Sequence, residues 1–180
     1  MRLRSAHQGD AAAISKLYAY WVLNGTGTFD EAPPPPEAIA ERIETIAKNG
    51  LPWLVAEAHD GALMGYAYAS PFRPRPGYRW CVEDSVYVAP DAHGQGLGRR
   101  LLQDVIAKSE AVGVRQMLAV IGDSANAGSI GLHRALGFAE TGVLPNVGFK
   151  FGRWIDVVLM QRQLGPGATE LPDRAGGWTL

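Results

Sequence analysis

Three glycines stand at alternate positions, Gly94, Gly96 and Gly98, between an apolar run typical of a strand and an apolar run typical of a helix. Glycine tolerates backbone conformations that other residues avoid and lets the backbone come close to a bound group. The free N–H groups at the start of a helix bind anions, and phosphates in particular. The stretch HGQGLG at 93–98 therefore predicts a turn that holds a diphosphate.

The turn does not match either of two common glycine-rich motifs that bind phosphate groups. A dinucleotide-binding unit places GxGxxG after its first strand, whereas here the third glycine comes one position early and the turn lies halfway along the chain. A P-loop requires Gly-Lys-Ser/Thr, and the chain has Gly98-Arg99-Arg100 instead. A plain strand-to-helix turn without a ligand needs only one or two glycines, and it stays open as an alternative.

A glutamate interrupts the apolar run that precedes the turn. The segment from about Tyr78 to Val88 is predicted as a long strand, and alternation places Glu83, Ser85 and Tyr87 on one face of it. A carboxylate among apolar residues is costly unless it has a partner or a function. Glu83 is therefore a candidate catalytic residue, with a strand-edge glutamate that faces water as the alternative.

The elements that must position these residues follow a mixed α/β order. The other predicted elements are a strand at 1–6, a helix capped by Asp10, a helix after the prolines at 33–36 with Ile39, Ile43 and Ile46 on one stripe, a hairpin around 59–61, a helix from Leu97 to about Val112, a strand at 114–121, a helix at 126–137 and a strand at 152–164. The residues from 165 to 180 contain four glycines and two prolines, which predicts a loose tail.

Composition limits the class of protein. A length of 180 residues suits one domain, and a net charge of -1 gives no reason to expect binding to nucleic acid or to an anionic membrane. Cys81 is the only cysteine, so an internal disulfide and a cysteine metal cluster are excluded. The start of the chain is too polar for a signal peptide, and no apolar run approaches the length of a membrane span. These features predict a soluble, cytoplasmic domain without a bound metal.

The stretch VYVAPDAHGQGLGRRLL resembles the acetyl-CoA signature of the GCN5-related N-acetyltransferases (GNAT), (Arg/Gln)-x-x-Gly-x-Gly/Ala. Within that superfamily, the phosphinothricin and methionine sulfoximine N-acetyltransferases are similar in five stretches, namely GTFD at 27–30, PFRPRPGYRWCVEDSVYV at 71–88, HGQGLG at 93–98, NAGSIGLHRALGF at 126–138 and GFKFGRWIDVVLMQ at 148–161. The resemblance covers about residues 1–164. It implies one GNAT domain of the α/β (α+β) class, with a central mixed, mostly antiparallel twisted sheet flanked by helices on both faces.

The same resemblance implies acetyl-CoA as the cofactor and assigns its contacts. A strand pairs backbone to backbone with the pantetheine arm, the glycine turn wraps the pyrophosphate, and an asparagine that can also cap a helix touches the arm. The implied cofactor-binding residues are Val86, Tyr87, Val88, His93, Gly94, Gln95, Gly96, Leu97, Gly98 and Asn126. His93 stands where the family usually has Arg or Gln, which removes a possible side-chain contact to phosphate.

Acetyl transfer to an amine needs a group that takes a proton, because only the neutral amine attacks a thioester. Glu83 occupies the position where the resemblance implies this general base. Strand N–H groups near Val86 can stabilise the oxyanion. His133 follows Leu132 where many relatives have a tyrosine, and it is expected to protonate or hold the departing sulfur. A histidine packed between helix and strand is the alternative.

The acceptor side is predicted from a proline-rich loop. Arg73 and Arg75 in FRPRPG suit bidentate contacts to an anionic substrate. Phe29 and Tyr78 are candidate pocket walls, with core or dimer contacts as the alternative. The predicted reaction moves an acetyl group from acetyl-CoA to the primary amine of a small amino-acid-like substrate of the phosphinothricin, methionine sulfoximine or sulfone type.

Two other functions stay open. One is acetylation of a peptide or protein N-terminus, or of another amine, on the same fold with a more open groove. The other is a non-catalytic acyl-CoA sensor, against which the presence of both Glu83 and His133 argues. Family members are commonly dimers, so the resemblance also implies a homodimer.

Overall fold

The chain builds a sheet with helices packed against it. The structure is a computed structural model and describes residues 1–173 and 176–178. Its elements are β1 (Arg2–Ser5), α1 (Ala11–Asn24), α2 (Pro36–Lys48), β2 (Trp53–Glu57), β3 (Leu63–Pro71), β4 (Cys81–Val88), α3 (Leu97–Ala111), β5 (Gln116–Gly122), α4 (Ala127–Ala135), β6 (Ala139–Lys150) and β7 (Arg153–Gln163).

Seven strands among the described residues form one sheet in the order β1-β2-β3-β4-β5-β7-β6. The β4–β5 pair is parallel, and the other neighbouring pairs are antiparallel. This arrangement confirms the predicted α/β class and the mixed, mostly antiparallel sheet.

Helices cover both faces of the sheet. The ring of Tyr87 on β4 meets that of Tyr18 on α1 at a centroid distance of 5.0 Å, and Tyr66 on β3 stacks on Tyr87 from the same face. Gly65, the neighbour of Tyr66, lies under Leu101 of α3. Since successive strand residues face opposite sides, α1 and α3 lie on opposite faces, as predicted.

The predicted helices form where expected. Ile39, Ile43 and Ile46 of α2 are all buried, which confirms the stripe. Asp10 is the residue that precedes α1, but its carboxylate accepts hydrogen bonds from the His7 N–H and the Arg4 guanidinium and does not cap the helix.

The strand β6 was not predicted, because Pro145 and the glycines at 142 and 148 interrupt the apolar pattern. The structure accommodates the proline at an irregular stretch between Leu144 and Gly148, where the pairing of β6 with β7 shifts. Proline is tolerated in an edge strand or at a bulge, and β6 is both an edge strand and irregular at this point. The predicted start of β4 near Tyr78 is three residues early, because Pro76–Tyr78 form a 3₁₀ turn.

The prediction of a loose tail is wrong for residues 176–178. The side chain of Trp178 is only 4% exposed and belongs to the hydrophobic core. Its indole N–H lies 3.2 Å from the Tyr78 carbonyl oxygen and 3.1 Å from that of Cys81. The glycine and proline content of the tail predicts a loose segment, whereas one large aromatic residue supplies buried surface that holds residues 176–178.

Candidate active site

The site lies where two parallel strands separate. β4 pairs with β3 along Val82–Val88, but it pairs with β5 over Cys81–Glu83. Beyond Glu83 the facing edges of β4 and β5 diverge and open a cleft of about 850 Å³. Residues 83–88 line one side of the cleft and 119–123 line the other.

The divergence leaves backbone groups available to a ligand. An open strand edge presents N–H and C=O groups that can pair with another extended chain. Val86, Tyr87 and Val88 lie on this edge and line the cleft, as the resemblance implies. An extended arm that contains amide groups can therefore continue the sheet at this point.

The glycine turn closes one end of the cleft. Gly94 and Gly96 have φ values of 74° and 72°, in the left-handed region that favours glycine. Gly96 directly precedes α3, whose first intrahelical hydrogen bond runs from the Arg100 N–H to the Gly96 carbonyl oxygen. The N–H groups of the first turn have no acceptor within the helix and can bind an anion. Leu97 and Gly98, in this first turn, line the cleft.

Two side chains of the turn bond to backbone carbonyl oxygens nearby in the chain. Nε2 of His93 lies 3.2 Å from the Val88 carbonyl oxygen, to which the Trp21 indole N–H also donates at 3.0 Å. The Gln95 amide donates to the Asp91 carbonyl oxygen at 3.2 Å. Within the described residues the cleft lining includes His93 and omits Gln95, so Gln95 shapes the turn and does not face the cleft.

Glu83 lies at the point where β4 and β5 separate. It is the last β4 residue paired with β5, opposite Leu118, and it lines the cleft. Burial raises the pKa of Glu83, and the neighbouring Asp84 carboxylate raises it further, while the Arg73 guanidinium acts in the opposite direction. A carboxylate whose pKa lies closer to neutrality is a more effective proton acceptor at physiological pH.

His133 is buried and engaged at both ring nitrogens. Nδ1 lies 2.8 Å from the Ser129 carbonyl oxygen and Nε2 lies 3.0 Å from Oδ2 of Asp84. Burial opposes a charge on the ring, but the hydrogen bond and the charge of Asp84, together with the Ser129 carbonyl, outweigh it and raise the pKa of His133. His133 also lines the cleft, and both of its ring nitrogens have partners in the protein, as expected of a histidine that packs between α4 and β4.

Asn126 caps α4 and lines the cleft at the same time. Its side-chain oxygen accepts a hydrogen bond from the Ser129 N–H at 3.1 Å. The cap fixes the start of the helix that carries His133, so the two predicted roles of Asn126 are compatible.

The four residues predicted to bind the acceptor are not all part of the cleft lining. In the part of the chain that the structure describes, Phe29 lines the cleft, but Arg73, Arg75 and Tyr78 do not. The loop between β3 and β4 turns outward, so these three side chains are exposed. The Arg73 guanidinium lies 5.2 Å from the centroid of the Phe72 ring, and the ring of Tyr78 meets Phe72 edge to face. Arg73 is nevertheless near enough to Glu83 to lower its pKa.

Several residues that shape the cleft were not predicted from the sequence. Tyr68 and the loop 25–28 line it, and this loop is held by Lys150. Lys150 is 5% exposed, and its ammonium donates to the carbonyl oxygens of Gly25 at 3.0 Å and Thr28 at 2.8 Å. The ring of Phe29 occupies the space that a Cβ at Gly148 would fill. Only the glycines at 25 and 27 gave a signal, because they indicated a loop.

Neither a metal centre nor a membrane segment is found in the part of the chain that the structure describes. Across 1–173 and 176–178, no three His, Cys, Asp or Glu side chains are grouped so that they could hold a metal ion. The helices of the same residues include none that is long and apolar enough to cross a membrane.

Comparison with known proteins identifies the class. Residues 3–159 match the family model for the acetyltransferase (GNAT) domain. The chain belongs to the GNAT family and is an acetyl-CoA-dependent N-acetyltransferase.

Two relatives and one solved structure are similar to this chain over most of their length. Phosphinothricin N-acetyltransferase of Alcaligenes faecalis is 53% identical, over 95% of this chain and 86% of its own. L-methionine sulfoximine/L-methionine sulfone acetyltransferase of Pseudomonas aeruginosa is 43% identical, over 91% of this chain and 95% of its own. The crystal structure of a phosphinothricin acetyltransferase from Sinorhizobium meliloti in complex with acetyl-CoA superposes with a TM-score of 0.94 at 46% identity, covering 97% of this chain and 94% of that one.

Proposed function

We propose that the protein acetylates the primary amine of a small amino-acid-like substrate of the phosphinothricin, methionine sulfoximine or methionine sulfone type. The observation that carries the proposal is the half-buried carboxylate of Glu83 at the point where β4 and β5 separate. The names of the relatives at 53% and 43% identity support this substrate class.

The cleft suits acetyl-CoA, which supplies the activated acetyl thioester when it is bound. The open edge at Val86–Val88 offers amide groups for the pantetheine arm, and the start of α3 offers N–H groups for the pyrophosphate. The positive φ angles of Gly94 and Gly96 support this assignment, because a plain turn does not require two left-handed glycines at alternate positions. Gln95 contributes through its backbone, since its side chain is bonded to the Asp91 carbonyl oxygen.

Glu83 removes a proton from the ammonium form of the substrate and so generates the nucleophilic amine. Its raised pKa supports this role, since the carboxylate must hold a proton transiently at neutral pH. N–H groups near Val86 stabilise negative charge on the carbonyl oxygen of the tetrahedral species.

His133 acts as a positioning residue for the strand that carries Glu83. Its hydrogen bond with Asp84 joins α4 to β4 in the lining of the cleft, and Asp84 is the neighbour of Glu83 on the strand. Because Nε2 and Nδ1 both have partners in the protein, protonation of the departing sulfur falls to water or to another group.

The acceptor binds beside Glu83, between Phe29 and Tyr68. Arg73 and Arg75 on the loop between β3 and β4 attract the carboxylate and phosphinate groups of the substrate. Tyr78 supports this loop through its contact with Phe72 and does not wall the pocket.

A homodimer is the proposed assembly. The edge strand β6 and the adjoining part of β7 expose large apolar side chains, among which Val147, Phe149, Phe151 and Trp154 are 53–62% exposed. Apolar patches of this kind usually mark protein–protein contacts. A monomer in sedimentation velocity at micromolar concentration would contradict this assembly. No nucleic-acid or membrane partner is proposed, and a cytoplasmic location suits an enzyme that consumes acetyl-CoA.

Release of free CoA from acetyl-CoA tests the reaction, with phosphinothricin, methionine sulfoximine and methionine sulfone as separate acceptors. We expect turnover with at least one of them, and a loss of about 100-fold or more in kcat for Glu83→Gln. The control is Glu41→Gln, an exposed glutamate on α2, which should leave kcat unchanged.

Three different results would redirect the proposal. Unchanged kcat in Glu83→Gln would remove Glu83 as the base. CoA release with peptides but not with these amino acids would favour an N-terminal acetyltransferase. Tight binding of acetyl-CoA without release with any amine would favour an acyl-CoA sensor.

A further inference from the structure

The C-terminal segment contacts the residues that lead into the catalytic strand. The carbonyl oxygens of Tyr78 and Cys81 both lie near the indole N–H of Trp178. The backbone N–H of Trp178 donates to the Arg79 carbonyl oxygen at 2.9 Å. Three backbone carbonyl groups shortly before Glu83 are thus held by one residue near the C-terminus.

Neighbouring contacts fix the position of Trp178. The N–H of Gly177 donates to the Val112 carbonyl oxygen at 3.0 Å. A Cβ at Gly177 would lie 2.3 Å from the Arg79 carbonyl oxygen, so only glycine permits this approach. The Trp80 indole N–H in turn donates to the Asp173 carbonyl oxygen at 3.3 Å. The segment therefore joins the end of the β3–β4 loop to the turn that follows α3.

We propose that Trp178 is a positioning residue for acceptor recognition. It acts by holding the β3–β4 loop, residues 72–80, in place. This inference rests on the proposed function, in which Arg73 and Arg75 of that loop attract the anionic acceptor. The two arginines are exposed, whereas Trp178 is 4% exposed and provides a buried anchor at the end of the loop. A loop held in place loses less conformational freedom when its side chains bind a substrate.

Two substitutions of Trp178 distinguish the loss of its hydrogen bonds from a general loss of stability. Trp178→Phe keeps an aromatic ring in the core and removes the indole N–H, while Trp178→Ala also removes the packing. Ile43→Ala on α2 is the matched control, because it empties core volume far along the chain from the loop.

We expect Trp178→Phe to raise KM for the amino-acid acceptor about threefold or more, since the contacts of the indole N–H with Tyr78 in the loop and with Cys81 at the start of β4 are lost. The dissociation constant of acetyl-CoA should stay within about twofold, because Trp178 contacts residues 78–81 and not the glycine turn. Peptides that cover 72–81 should exchange amide hydrogen for deuterium faster than in the parent protein. Ile43→Ala should leave acceptor KM and the exchange of 72–81 unchanged.

The proposal is overturned if acceptor KM stays at the parent value, if it rises equally in Ile43→Ala, or if the exchange of 72–81 does not change in Trp178→Phe. The exchange measurement needs no substrate. If no amino acid supports CoA release, the proposed function fails, while exchange at 72–81 still decides whether Trp178 holds the loop.

Discussion

Substitution of Lys150 by Met tests how the acceptor side of the cleft is held. The Lys150 ammonium donates to the carbonyl oxygens of Gly25 and Thr28, at 3.0 Å and 2.8 Å, in a buried site. Methionine keeps the length of the aliphatic stem but leaves both carbonyl groups without this donor. A hydrogen bond from a charged group contributes roughly 1.5–3 kcal/mol, and an unpaired buried carbonyl adds a desolvation cost.

The burial of the ammonium offsets part of that contribution. Burial lowers the pKa of Lys150, which means that the charged form is disfavoured at this site, although Asp30 and Glu31 act in the opposite direction. We therefore expect Lys150→Met to lower the free energy of unfolding by about 2 kcal/mol. In a chain of this size, that corresponds to a decrease of about 4–8 °C in Tm.

Urea and thermal unfolding measure the stability change, and acceptor KM measures its effect on the cleft. KM should rise because the loop that Lys150 holds also carries Phe29 into the cleft. Lys16→Met, an exposed lysine on α1, is the control and should change stability by less than about 0.5 kcal/mol. If Lys150→Met unfolds at the same urea concentration as Lys16→Met, the two hydrogen bonds do not hold the loop.

Two further predictions concern the cofactor end of the cleft and the buried pair. Gly96→Ala should lower the free energy of unfolding by about 1–2 kcal/mol and weaken acetyl-CoA binding in calorimetry. The control is Gly61→Ala, at a φ of 87° in the β2–β3 turn, which should lower stability alone. Equal binding of acetyl-CoA in both variants would contradict the role of the glycine turn in anion binding. The raised pKa of His133 makes its contribution to stability complete below pH 6.5 and lost as pH rises through the folded-state pKa. Urea midpoints from pH 5.5 to 9 should show this decrease, and Asp84→Asn should remove it; an unchanged slope in Asp84→Asn would show that the pair does not cause it.

The sheet and its helices could be predicted because local patterns specify them. The isoleucine stripe of α2 and the apolar run of β4 indicate their elements without any distant contact. β6 could not be predicted in this way. Its stability comes from pairing with β7 over most of its length, and this pairing tolerates a proline that the local pattern excludes.

The residues of the proposed cofactor end could be placed together from the sequence for the same reason. The residues from Val86 to Gly98 are contiguous, so one strand, one turn and one helix start place them together. The role of His133 was harder to assign, because it depends on Asp84, a residue 49 positions away. An aspartate next to the candidate base can pair with a histidine, but sequence spacing does not reveal which helix covers it.

The proposed acceptor side is built from segments that are far apart in the chain, and this explains why its residues were the hardest to predict. The loop that carries Phe29 is held by Lys150, 122 positions after Thr28, and the loop that carries Arg73 is held by Trp178, 100 positions after Tyr78. Neither anchor faces the cleft, so neither has a pattern typical of substrate binding. An enzyme built in this way can change its acceptor by altering distant anchors while Glu83 and the glycine turn stay fixed. Acceptor KM in Lys150→Met and Trp178→Phe tests this separation, because both should raise KM while the dissociation constant of acetyl-CoA stays near that of the parent protein.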